Sequence, residues 1–270
     1  SPARPSADAI WLGTTDQTGT ETRYFRGRAA AEGFLAEQIS GAQGRLLIGF
    51  DFPMGYPAGF AARLTAEATA PAIWRWLADH IKDDADNATN RLMVGGQINA
   101  IFMPLPGPFW GRPQTHDIAG LPFTKAVDYK ALNLSERRAV ERLLPSASPV
   151  WQLMGVGSVG SQALTGLPMI HRLAQRPKCK VWPFQQPDAD LVLAEVYPSI
   201  LNEAIKRGIA KTANPDAEIV DQWQVRLLAQ AVYNLSRDGA LPDLFTTPDI
   251  ALEEGWILGA GHAATLLAAL

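Results

Sequence analysis

Arg45-Leu-Leu-Ile-Gly-Phe-Asp51 is the stretch that decides the fold. It is apolar at consecutive positions, so both of its faces are suited to burial, and it is closed at once by Pro53 and Gly55. A run of that kind directly after a helical pattern reads as a parallel strand in the middle of a sheet. The helical pattern precedes it over Arg28 to Ile39, with Ala31, Phe34, Leu35 and Ile39 on one stripe and Gly41 at the stop position. Working outward, Leu191-Val-Leu-Ala-Glu-Val-Tyr197 is a second buried strand, ended by Pro198. Toward the amino end, Ala9 to Gly13 and Thr22 to Phe25 read as a hairpin around the turn-rich residues 14–20. Strands and helices in alternation make the fold class α/β.

The remaining elements follow the same rules. Helical spacing predicts helices over 71–82, over 135–144 with Ser135 as its cap, over 161–174, over 199–207 and over 215–236. Trp74 and Trp76 fall on opposite sides of the first of these, so one of them belongs to the core. Residues 150–153 read as a short strand and 253–258 as a last extended segment. The proline-rich stretch from Asn99 to Pro122 must be a structured loop. No repeat or composition shift marks a boundary, so the reading is a single domain over 1–270 with an insertion around 95–180.

Composition narrows the function classes. Hydrophobic residues make up 47% and charged residues 19% of the chain, enough for a sizeable core. The net charge of −3 lacks the basic surplus of a dedicated duplex binder, so a nucleic-acid role requires a local basic patch or bridging metal ions. Cys179 is the lone cysteine; it can form no internal disulfide and suits a reducing, cytoplasmic compartment. No apolar run reaches the length of a membrane span, and the start carries no signal-peptide stretch. His80, His116, His171 and His262 lack zinc-type spacing. Nothing in the sequence fixes the oligomeric state.

Three acids stand where chemistry would need them. Asp51 closes the first buried strand, Glu195 lies within the second, and Asp221 sits on the long late helix with Glu218 one turn earlier. A carboxylate inside a buried strand must be paired, hydrogen-bonded or bound to metal. Open α/β sheets build their sites beyond the carboxyl ends of their strands. Converging there, Asp51, Glu195 and Asp221 would hold Mg²⁺ or Mn²⁺, hard cations that prefer oxygen, and would make a catalytic group for phosphodiester hydrolysis. The plain alternatives are a strand-end cap for Asp51, a buried arginine partner for Glu195 and a solvent-facing Asp221.

The motifs Gly49-Phe-Asp-Phe-Pro-Met-Gly-Tyr-Pro57 and Ala194-Glu-Val-Tyr-Pro198, in this order of elements, resemble an uncharacterised bacterial family described as RNase H-like nucleases. The resemblance runs from about Ala9 to Leu258. It implies an RNase H-like mixed sheet flanked by helices, with Asp51 and Glu195 matching the motifs and Asp221 matching the acid expected on the late helix. That fold opens with a central, acid-bearing strand ahead of the hairpin. Here the hairpin begins at Ala9, with Asp8 the only nearby acid, so the first strand is expected upstream of Ser1 or is missing.

Two further motifs are candidate substrate grips. Gly155-Val-Gly-Ser-Val-Gly160 satisfies the dinucleotide pattern, but a weak strand precedes it and no acid follows at the ribose-binding distance. Gly157, Ser158, Gly160, Ser161 and Gln162 fit a phosphate- or substrate-gripping loop, or a tight turn. Trp110 could stack on a base and Arg112 could meet an anion, or the aromatics could pin the loop to the core. Two functions are therefore expected: a metal-dependent phosphodiester hydrolase, or a non-catalytic module binding a nucleotide, nucleic acid or partner protein.

Overall fold

The computed structural model describes residues 10–84 and 87–270. The hairpin pairs β1 (Ile10–Asp16) with β2 (Gly19–Phe25), both longer than the sequence pattern implied. Most of the threonine-rich segment is strand, because Thr suits the pleated backbone and only Gln17 and Thr18 turn. Asp16 fixes that turn by accepting the Thr18 N–H at 2.7 Å and its hydroxyl at 2.6 Å. Ala9 lies outside the described residues. α1 (Arg28–Gly41) follows and buries Ala31 and Leu35.

β3 (Leu46–Phe50), β4 (Cys179–Val181) and β5 (Leu191–Glu195) form a parallel sheet in the order β3-β5-β4. This corrects the expectation for residues 45–51. β5 is the central strand, and all five of its residues are buried; β3 is at the edge and only Phe50 is fully covered. An apolar run shows that both faces are covered, but it does not show that both edges are paired. β3 does have two covered faces. Leu46 and Ile48 pack with Leu35 in one core, while Leu47 packs with Val192 and Ala194 in the other.

Between β3 and β4 lie α2 (Phe60–Thr65), α3 (Ala70–His80), α4 (Arg91–Ala100), α5 (Ala139–Leu143) and α6 (Val159–Ala174). Trp74 is the core tryptophan of α3, at 2% exposure. The loop after α4 folds around buried Phe109 and Trp151, and residues 150–153 contribute only a bridge between Trp110 and Gln152. Ser135 does not cap α5. Its carbonyl accepts the Trp151 indole N–H at 3.3 Å, and the helix starts after Arg138, whose N–H is accepted by Glu141 three residues on, at 3.1 Å.

After β5, a 3₁₀ turn over Pro198–Leu201 leads into α7 (Asn202–Ile209), and a second over Pro215–Ala217 precedes α8 (Val220–Arg237). The chain closes with α9 (Ala251–Glu254) and α10 (Ala263–Ala268). Of the extended segment expected over 253–258, Glu253 and Glu254 are instead the end of α9, while Ile257 bridges to Glu195.

α8 holds the two sheets together. Leu228, Ala231 and Leu235 sink into the core beside β5. The same helix lies so close to β1 that a Cβ on Gly13 would stand 2.5 Å from the Val225 carbonyl oxygen. Among the described residues the sheets remain separate: β1 pairs with β2 alone, and β3 with β5 alone. Among these residues β1 and β3 therefore each have one edge without a strand partner.

Candidate functional site

The site begins with the register of two parallel strands. Phe50 stands opposite Glu195, so the chain leaves β3 through Asp51 at the carboxyl end of the sheet, over the Glu195 side chain. The turn that follows is tightly held. The Glu195 Oε2 accepts the Met54 N–H at 2.8 Å, and the Trp74 indole donates to the Met54 carbonyl at 2.7 Å. A Cβ on Gly55 would lie 2.4 Å from the Glu254 carbonyl oxygen, so only glycine lets these two backbones touch.

Asp51 is exposed by surface area, yet protein surrounds it on most sides. This crowding, then the charge of Glu195, then that of Asp221, push its carboxyl up to about 7. Asp51 therefore senses both of the other acids singled out from the sequence. Asp221 sits exposed in the first turn of α8, where the helix dipole favours an anion. Glu218 is engaged elsewhere, accepting the Trp223 indole N–H at 2.7 Å.

Glu195 is 2% exposed and already has its cation. Both of its oxygens are taken by Arg138, with Nη2 to Oε1 at 2.6 Å and Nη1 to Oε2 at 2.8 Å. Arg138 is 1% exposed and also donates through Nε to Glu141 at 2.7 Å. Burial opposes the guanidinium charge, but Glu195 and Glu141 outweigh it and hold the proton more firmly than usual. Burial likewise raises the Glu141 carboxyl, against the pull of Arg138. Glu254 completes this interior by accepting the N–H groups of Ala58 at 2.9 Å and Ala139 at 2.6 Å. Of the plain alternatives for the three acids, two are found in the structure: a buried arginine partner for Glu195 and a solvent-facing Asp221.

The sequence reading missed Arg138, Glu141 and Glu254. The run Glu136-Arg-Arg-Ala-Val-Glu141 carries the right residue types, but its pattern does not say which arginine turns inward. Arg138 does, and Arg137 instead donates to the Ala147 carbonyl at 2.8 Å.

The proposed substrate grips are occupied by their own backbone. Arg112 donates to the carbonyls of Pro113 at 3.1 Å and His116 at 2.6 Å, and faces Asp117 at 3.3 Å. Trp110 is half-buried against the core, and its backbone N–H and carbonyl pair with Trp151 and Leu153. In the glycine loop, the N–H groups of Ser158, Val159, Gly160 and Ser161 donate to Gly155, Gly157, Gln152 and Ser158 carbonyls. A phosphate would need those donors free. The glycines answer to packing: a Cβ on Gly157 would meet the Ser148 hydroxyl at 2.7 Å, and one on Gly160 the Val150 carbonyl at 2.3 Å. Ser161 bonds to the Leu153 carbonyl and accepts from Arg91 at 2.9 Å, while Gln162 is exposed.

Among the described residues, no group of three or more His, Cys, Asp or Glu side chains is placed to hold a metal ion. Asp51 and Asp221 have the oxygen chemistry for a hard cation; Glu195, with both oxygens bonded to Arg138 and Oε2 also to the Met54 N–H, does not fit that role. No family model, curated protein or solved structure matches the chain. The site's own chemistry is therefore the ground for function. Among the described residues, no helix is long and apolar enough to cross a membrane.

Proposed function

We propose that the protein hydrolyses a phosphodiester with the help of Mg²⁺ or Mn²⁺, using Asp51 and Asp221 at the carboxyl end of the parallel sheet. The observation that carries this reading is the raised Asp51 carboxyl, crowded by Glu195 and Asp221 with no cation of its own. Mg²⁺ is characteristically held by one or two carboxylates together with substrate phosphate oxygens and water, so a two-acid site suits it. Such a cation, when bound, would neutralise charge on the phosphate. The protein's part would be to hold Asp51 rigidly through the 51–57 turn and to bring Asp221 toward it from the start of α8. In the same reading, the hairpin and the parallel sheet are two parts of one RNase H-like sheet, interrupted between β1 and β3.

A second reading is favoured by the closure of Glu195 over Arg138: the fold serves as a binding module for a nucleotide, nucleic acid or partner protein without the chemistry. Mn²⁺ titration calorimetry of the wild type beside Asp51→Asn and Asp221→Asn, with hydrolysis of bis(p-nitrophenyl) phosphate, separates the two. The hydrolase reading expects saturable binding weakened by both substitutions, and turnover lower by roughly a hundredfold in each. Absence of Mn²⁺ binding and of turnover would leave the binding module.

A further inference from the structure

We propose that Arg138 is the resident cation of this site: it withholds Glu195 from metal ligation and uses that carboxylate to fix the turn that aims Asp51. This rests on the reading of Asp51 and Asp221 as the cation ligands. Sequence position alone would make Glu195 a third ligand, since it lies beneath Asp51 on the neighbouring strand. The geometry gives it another task.

The planar guanidinium of Arg138 meets both carboxylate oxygens at once, in the two-pronged arrangement that favours arginine over a point charge. Two more of its donors are committed as well, Nε to Glu141 and Nη1 a second time to the Glu254 carbonyl at 3.2 Å. A metal ion that took the Glu195 lone pairs facing Arg138 would displace this group and strand a buried positive charge without its partner. The bonds also join three distant segments. Through Glu195 and its Met54 contact, Arg138 holds the turn after Asp51; through its own N–H and Glu141 it starts α5; through the Glu254 carbonyl it holds the segment that touches Gly55. Arg138 and Glu195 are thus positioning residues, and neither touches the reacting groups.

The test pairs Mn²⁺ titration calorimetry with thermal melting for the wild type, Glu195→Gln, Arg138→Gln and Arg138→Lys. Glu195→Gln should keep Mn²⁺ affinity within about threefold while melting at lower temperature. Arg138→Gln leaves Glu195 bare. Its melting point should fall and then recover in part with millimolar Mn²⁺, a rescue that a purely structural arginine would not permit; Arg138→Lys should recover in part without metal. A natively folded Glu195→Gln that loses Mn²⁺ as Asp51→Asn does would overturn the proposal. If these variants fail to fold, the Arg138 Nε–H resonance of ¹⁵N-labelled wild type decides. It should persist under saturating Mg²⁺, and its loss would show that metal displaces arginine. Should Asp51→Asn and Asp221→Asn leave Mn²⁺ binding unchanged, the hydrolase reading fails; Arg138 is then judged on the melting curves and the resonance alone.

Discussion

At the scale of single residues, Asp51 carries the clearest consequence. Its folded carboxyl holds a proton up to about pH 7, whereas an unfolded aspartate releases it near 3.8. Between those values the folded state binds more protons than the unfolded one, so stability from this group falls as pH rises and levels off above 7. Asp51→Asn mimics the protonated form. It should raise the melting temperature at pH 8 by roughly 2 °C, for about 1 kcal/mol after allowance for solvent screening of an exposed group. The gain should vanish by about pH 4, where the wild type is protonated as well. Melting curves across that range check this, and a gain independent of pH would contradict it. Asp51 and Glu195 were legible in the sequence because each stands at the end of an apolar run, a position that turn chemistry and sheet topology make conspicuous. Their difference in role was not legible. It depends on Arg138, which is 57 positions away from Glu195 and arrives through tertiary packing alone.

At the scale of elements, α8 and β1 make the most demanding contact. Gly13→Ala would drive a methyl group against the Val225 carbonyl, which belongs to the helix backbone and cannot rotate away. We expect a loss of about 1–3 kcal/mol in urea denaturation, with circular dichroism unchanged in the native state. An effect near zero would mean that the hairpin shifts freely on the helix. The long helices were visible from their spacing, yet α4 was not. Gly95 and Gly96 argue against a helix by propensity, but both are buried. A Cβ on Gly96 would lie 2.2 Å from the Ala119 carbonyl, so the glycines serve a close approach and tertiary packing overrides local preference. Cys179–Val181 escaped notice for the opposite reason, being too short to show any period.

On the scale of the whole molecule, the α/β class could be read from the sequence, while the division into two sheets could not. Continuous apolar character reports coverage of strand faces, by the core that contains Leu35 on one side and by the core that contains Leu228 and Ala231 on the other. It is silent about hydrogen bonds in the plane of the sheet. The edge of β3 that has no strand partner among the described residues has a practical result for handling the protein. Leu46-Leu-Ile-Gly-Phe50 has neither charge nor proline, the composition of a segment that recruits copies of itself into fibrous aggregates. Arg45 and Asp51 flank it as gatekeepers, the charged residues that discourage such stacking. Asp51 is an unreliable guard, since it becomes neutral as the solution drops below about pH 7. Light scattering of concentrated Asp51→Asn should therefore exceed that of the wild type at pH 8.5, and the difference should shrink on acidification through about pH 7. The proton that Asp51 takes up near neutrality would then set the solution conditions under which the molecule stays dispersed.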